Sequence, residues 1–156
     1  MIAGTSTAGI SPATTLADKT KKPLIYVRDK PKDHGLRNQI EGIDAGSNLE
    51  GRCVILVEDL ISTGGSSVKA VQAIRNAGGE CNNCLCIFNY GLDKSVSEFR
   101  SLDPQCEVLS LLIYTRLLEI AKEIGHITKR QAEMLAEWRA DPFGWGERHG
   151  FPKVER

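Results

Sequence analysis

The 156-residue chain has no net charge, since twenty Lys and Arg side chains balance twenty Asp and Glu. Without a basic excess there is no general pull toward nucleic acid or an anionic membrane, so any anion must be met by a local arrangement. Long apolar runs are missing too. None approaches the ~20 residues that span a bilayer, and Met1-Ile2-Ala3-Gly4 opens no basic, apolar, cleavable leader. The expected location is the cytoplasm, with neither nucleic acid nor membrane as a partner. Histidine is scarce at three residues, and His126 and His149 read as surface or helix-end residues rather than ligands. No internal repeat and no low-complexity segment appears.

The five cysteines offer no second ligand pair at zinc-finger spacing. Cys81, Cys84 and Cys86 form a Cys-x-x-Cys-x-Cys cluster, open to three readings: buried strand thiols, a redox-sensitive group or a metal site. Cys84-Leu85-Cys86-Ile87-Phe88 has the apolar character of a strand, which favours packing. Cys53 and Cys106 read as core thiols as well.

What is present is concentrated between Cys53 and Ser66. Cys53 to Val57 is an uninterrupted apolar run, the pattern of a strand covered on both faces of a parallel sheet. Glu58 and Asp59 are expected to emerge at its carboxyl end, where open α/β sheets place their ligands. Ser62-Thr63-Gly64-Gly65-Ser66 then supplies unobstructed backbone N–H groups at the start of a helix, a setting that favours phosphate. Val68, Val71 and Ile74 recur at helical spacing, and Gly78-Gly79 marks the stop. The loop lacks the Gly-Lys-Ser/Thr ending of a nucleoside-triphosphate loop and the spaced glycines of a dinucleotide fingerprint. An acid pair beside an anion cradle suits a phosphorylated, hydroxyl-rich ligand.

Strands and helices alternate along the rest of the chain, which argues for one α/β domain over residues 1–156. The expected strands are Met1 to Ala3, Leu24 to Val27, Leu85 to Phe88 and Val108 to Leu112. Ser11 and Pro12 begin a helix that turns Ala13, Leu16 and Ala17 inward. Residues 29–51 form a long charged loop of the kind that carries function. Near the end, Leu117, Ile120, Ala121 and Ile124 share one stripe stopped by Gly125. Thr128 and Gln131 form a capping box for a helix that buries Ala132, Leu135 and Ala136 before Pro142. Trp138, Phe143, Trp145 and Phe151 are either a nucleobase platform or packing back onto the sheet or a partner.

The acid pair and Thr-Gly-Gly-Ser loop resemble the signature of the type I phosphoribosyltransferases for 5-phosphoribosyl 1-diphosphate. Further stretches narrow the resemblance to orotate phosphoribosyltransferases: Ala3 to Ile10, Tyr26-Val27-Arg28 through Lys32-Asp33-His34-Gly35 to Gly42, Ile87-Phe88-Asn89-Tyr90-Gly91, and Glu137-Trp138-Arg139 with Asp141-Pro142. The resemblance implies a type I phosphoribosyltransferase-like parallel sheet flanked by helices. It also implies transfer of the phosphoribosyl group to orotate, giving orotidine 5′-phosphate and diphosphate. Arg28, Lys32 and His34 match the diphosphate contacts, Lys32 and Asp59 the catalytic positions, and Ser62 the orotate contact. Glu58, Asp59, Leu60, Ile61, Ser62, Thr63, Gly64, Gly65 and Ser66 match the ribose 5-phosphate cradle. Mg2+ is the implied cofactor, with no all-protein metal site, and a homodimer is implied because the basic loop reaches into the neighbouring subunit's site.

Two departures bear on activity. Ala8 and Asp29 stand where some members carry lysine, and Met1 falls inside the first core strand, where members have a preceding hood over the base. The expectation is a core lacking that hood, either because its natural beginning is absent or because orotate specificity is lost. A phosphoribosyl-diphosphate-binding protein without turnover and a transferase for another base are the alternatives.

Overall fold

The computed structural model describes residues 1–29, 39–44 and 47–152. Its centre is a six-stranded sheet ordered β3-β2-β1-β4-β5-β6. The strands are β1 (Ile2–Thr5), β2 (Leu24–Val27), β3 (Ile40–Glu41), β4 (Cys53–Ile61), β5 (Glu80–Asn89) and β6 (Glu107–Ile113). All neighbours run parallel except β2 and β3, which pair antiparallel at the edge. Helix α1 (Ile10–Thr20) links β1 to β2, α2 (Gly65–Asn76) links β4 to β5, and α3 (Asp93–Arg100) links β5 to β6. The chain closes with α4 (Tyr114–Glu123), α5 (Lys129–Ala140) and the single turn α6 (Trp145–Arg148).

The sheet divides the core in two. On one face α1 packs through Ala13 and Ala17 onto Ile2 and Val57. Gly4 permits this: a Cβ there would lie 2.8 Å from the Ile10 Cα and 2.9 Å from the Ala13 Cβ. On the other face Val68, Val71 and Ile74 of α2 and Phe99 of α3 pack onto Leu56, Cys84 and Cys86. Burying one such aliphatic side chain contributes roughly 1.5–3 kcal/mol, so this layer is the main source of stability.

The central strand runs further than its apolar stretch. Pairing of β4 with β1 stops at Val57, but pairing with β5 continues through Glu58, Leu60 and Ile61. Glu58 and Asp59 are therefore strand residues beside a shorter neighbour, not the first residues of a loop. The thiol readings divide similarly. Cys81, Cys84, Cys86 and Cys106 are buried, and burial pushes the Cys84 and Cys86 thiols up, away from thiolate chemistry. Cys53 is exposed, because the first residue of β4 lies at the sheet's rim.

The closing helices depart most from their sequence pattern. The capping box forms as read: the Gln131 backbone N–H donates to Thr128 Oγ1 (3.3 Å), and the Thr128 N–H donates to Gln131 Oε1 (2.9 Å). Yet α5 has no fully buried residue and Ala136 is exposed, while Leu117 and Ile124 of the α4 stripe face solvent. Trp138 instead packs beside Tyr90 and Tyr114, with ring centroids 5.6 and 5.5 Å away. Arg139 fastens the same helix by donating to the carbonyls of Tyr90 and Gly91. Beyond α1, Leu85, Ile87, Leu109 and Leu111 line a shallow apolar recess of about 340 Å3, and Leu111 is 86% exposed.

Candidate functional site

Strand order reverses between β1 and β4, because the chain goes from β1 outward to β2 and then returns to β1's other side. The carboxyl ends of the strands at such a reversal leave a crevice. Here it is a cavity of about 310 Å3 with three walls. Thr5, Ser6, Thr7 and Ala8 after β1 form the first, and Val27, Arg28, Asp29 and Gln39 around β2 and β3 the second. Glu58, Asp59 and Leu60 of β4, with Ser66, Lys69 and Ala70 of α2, form the third.

The acid pair divides. Side chains alternate along a strand, and Glu58 follows Leu56 onto the α2 side, where it is 5% exposed. Thr5 Oγ1 donates to its Oε1 (2.5 Å) and Ser67 Oγ donates to its Oε2 (2.9 Å). Burial, the largest influence, pushes the Glu58 carboxyl above the usual range. The Thr5 bond opposes it, the Asp59 side chain adds to it, and the Ser67 bond opposes it. Asp59 is half-buried and borders the cavity. Both oxygens of Glu58 thus accept bonds from within the protein.

The small-residue loop is shaped for backbone approach. Gly64 caps α2 at φ 82°, with no side-chain cap and no acid in the first turn. The first N–H groups of a helix have no partner inside it, so an uncapped end favours an anion. A Cβ on Gly64 would sit 3.3 Å from both the Cα and the Cβ of Ser95, whereas one on Gly65 would meet nothing within 4 Å. Packing and backbone therefore require glycine at 64 but not at 65. Gly64→Ala is expected to cost about 1–2 kcal/mol from the left-handed backbone alone. Gly65→Ala should leave the melting temperature equal or higher, since it restricts the unfolded chain, while weakening phosphate binding. Thermal unfolding beside a 5-phosphoribosyl 1-diphosphate titration separates the two; unchanged binding by Gly65→Ala would move the phosphate away from this turn.

Other sequence-derived positions are scattered more widely. Ser62 is exposed and Thr63 half-buried in the loop, and Leu60 lines the cavity. Ile61 instead turns into the core, and its carbonyl accepts from the Tyr90 N–H (3.0 Å). Arg28 borders the cavity while lying 3.5 Å from Glu41. Lys32 and His34 lie outside the described residues. Lys69 was missed: it follows Ser66 by three residues, one helical turn, which brings both to the same cavity wall. Among the described residues no three His, Cys, Asp or Glu side chains gather to hold a metal, and no helix is long and apolar enough to cross a membrane.

A mostly parallel α/β sheet with an acid and an uncapped helix start beside the crevice at its reversal point suits a phosphate-bearing ligand. Residues 1–115 match the phosphoribosyl transferase domain, and the chain belongs to that family. Within it, the similarity runs to orotate phosphoribosyltransferases. The enzyme of that name from Lactococcus lactis is 43% identical over 145 residues, covering 93% of this chain and 66% of its own length. That from Cutibacterium acnes is 45% identical over 150 residues, covering 96% and 66%. The crystal structure of orotate phosphoribosyltransferase from Aeropyrum pernix superposes with a TM-score of 0.64 at 28% identity, covering 81% of this chain and 66% of that one. The chain thus spans 66% of the length of these relatives.

Proposed function

We propose that the chain transfers the 5-phosphoribosyl group from 5-phosphoribosyl 1-diphosphate to orotate, yielding orotidine 5′-phosphate and diphosphate for pyrimidine nucleotide synthesis in the cytoplasm. The observation that carries this reading is the cavity where Asp59, the Thr5 to Ala8 turn and the first turn of α2 converge. Breaking the bond between the anomeric carbon and diphosphate leaves a sugar with oxocarbenium character and a leaving group that gathers negative charge. An orotate ring nitrogen then forms the new bond to that carbon.

The chain's residues fit the opposite electrostatic demands. Asp59 holds ribose hydroxyls on the side where positive charge develops, and the N–H groups at Gly65 and Ser66 take the 5-phosphate. The turn after β1 receives diphosphate, with Arg28 and Lys32 supplying charge and His34 a further donor. Lys69 adds a cation to the wall shared with Ser66. Ser62 faces the orotate side. A Mg2+ would neutralise charge on the leaving group, and half-buried Asp59 is the residue that would hold a hydrated ion at this site. The working form in this proposal is a homodimer, which sedimentation can test.

Diphosphate release measured with orotate, uracil, adenine and hypoxanthine tests the assignment. Turnover with orotate alone, abolished by EDTA and restored by Mg2+, is the expected result. Turnover with another base alone would reassign the acceptor, and tight binding of the sugar diphosphate without turnover would make the chain a binding protein.

A further inference from the structure

We propose that Cys106 and Cys81 form an oxidisable dithiol: a hydroperoxide entering the crevice beside α3 oxidises Cys106, and Cys81 closes a disulfide behind it. The pair stands apart from the sugar-phosphate cavity and does not depend on the function proposed for it.

Strand register brings the two thiols together. Between Cys53 and Ile55 of β4 the facing strand advances from Glu80 to Asn83, one residue more than its partner, so β5 carries an extra residue near Cys81 and Asn82. Without it, alternation back from Cys84 would place Asn82 on the α2 side of the sheet and turn Cys81 away. With it, Cys81 joins Cys84 and Cys86 in the core on that side, and Asn82 is exposed. On the next strand Glu107 lies beside Asn83, and Cys106, two residues before Val108, faces the same core. The Cys81 and Cys106 side chains are hydrogen-bonded to each other, and both are almost fully buried.

The two thiols differ in their surroundings. Cys106 also borders a crevice of about 170 Å3 between α3 and β6, whose walls include Phe99, Arg100, Gln105 and Val108. Cys81 is not among its walls, so a small oxidant meets Cys106 first. The bond from Cys81 holds the Cys106 thiol below its usual range against the opposing effect of burial, and the Arg75 charge adds to it. Arg75 is fixed there, because the Cys81 carbonyl accepts from its Nε at 3.2 Å and its Nη2 at 2.7 Å. Cys81 is pushed up by the same shared bond and by burial, so it keeps its proton until the second step.

In the first step the Cys106 sulfur attacks one peroxide oxygen, the O–O bond breaks, and the departing hydroxide takes up the proton that Cys106 released. Cys106 becomes a sulfenic acid. The Cys81 sulfur then attacks the Cys106 sulfur, the S–O bond breaks, and the hydroxyl leaves as water with the Cys81 proton. The dithiol has given two electrons to one peroxide, and a dithiol reductant reverses the change. The loop so closed carries α3, which packs beside Gly64 through Ser95 and Phe99.

Peptide mapping after hydrogen peroxide tests this, in a Cys53→Ser background that removes the exposed thiol. Oxidised while folded, then unfolded, alkylated and cut with trypsin without reductant, the protein should yield peptide 76–94 linked to 101–116 through Cys81 and Cys106. Dithiothreitol should separate them. The melting temperature should rise on oxidation and return with dithiothreitol, as a crosslink that closes a loop requires. In Cys81→Ala the sulfenic acid has no resolving thiol, so dimedone should label Cys106. Linkage through Cys84 or Cys86, or full alkylation of Cys81 and Cys106 after peroxide, overturns the proposal, as does a folded Cys81→Ala protein that dimedone leaves unlabelled at Cys106. If Cys81→Ala does not fold, the linkage map decides alone.

Discussion

Replacing Asp59 by Asn is expected to weaken 5-phosphoribosyl 1-diphosphate binding, or turnover at low ligand, by more than tenfold. The variant keeps size and shape and removes one negative charge. A hydrogen bond to a charged group is worth about 1.5–3 kcal/mol, which is one to two decades in affinity. Asp59 is half-buried and lies past the end of the β1 ladder, so its substitution should leave the melting temperature nearly unchanged. Titration of the wild type and the variant at one Mg2+ concentration checks this. Equal affinities would reduce Asp59 to a solvated strand-end acid.

Lys32→Ala is expected to act on a different step. If Lys32 meets the departing diphosphate, its partner gains charge on the way to the transition state, so the contact strengthens where the barrier lies. Loss of such a group costs about a hundredfold or more in kcat. KM for the sugar diphosphate should change by less than about fivefold, as for an interaction made mainly in the transition state. Steady-state kinetics with both substrates varied separate the outcomes. A pure rise in KM at constant kcat would make Lys32 a ground-state binder and return the leaving-group role to Arg28 or His34.

These expectations draw unequally on the sequence. Leu24 to Val27 was readable as a strand to the residue, because four apolar or aromatic positions stand between Pro23 and a charged segment. The box at Thr128 and Gln131 was readable because both partners of its hydrogen bonds are local. The end of β4 was not, since it depends on a neighbour: β5 continues to Asn89, and a ladder can carry Glu58 and Asp59 whatever their polarity. Helix α3 was missed for a related reason. Asp93 to Arg100 buries only Ser95 and Phe99, too few apolar positions to show a period. The α4 and α5 stripes were visible as patterns, but a pattern states which face is apolar without saying what covers it.

The site divides along the same line. The glycine turn and the acid pair were legible because backbone approach and charge demand particular residue types at consecutive positions. Lys69 was not singled out, as a lysine on an amphipathic helix usually marks a solvated face. Its place on the cavity wall follows from the packing of α2 against β4. The unequal acids also needed tertiary information, because the two partners that occupy Glu58 come from Thr5, 53 residues away, and Ser67, nine residues away. Sequence could present two carboxylates side by side, but not that one was already engaged.

The most direct test is a crystal structure of the chain with 5-phosphoribosyl 1-diphosphate. The ribose should lie within hydrogen-bond reach of the Asp59 carboxylate, the 5-phosphate against the N–H groups of Gly65 and Ser66, and the diphosphate along Ser6 to Ala8. Density for the sugar in any other crevice, or an empty cavity at saturating ligand, would contradict the account.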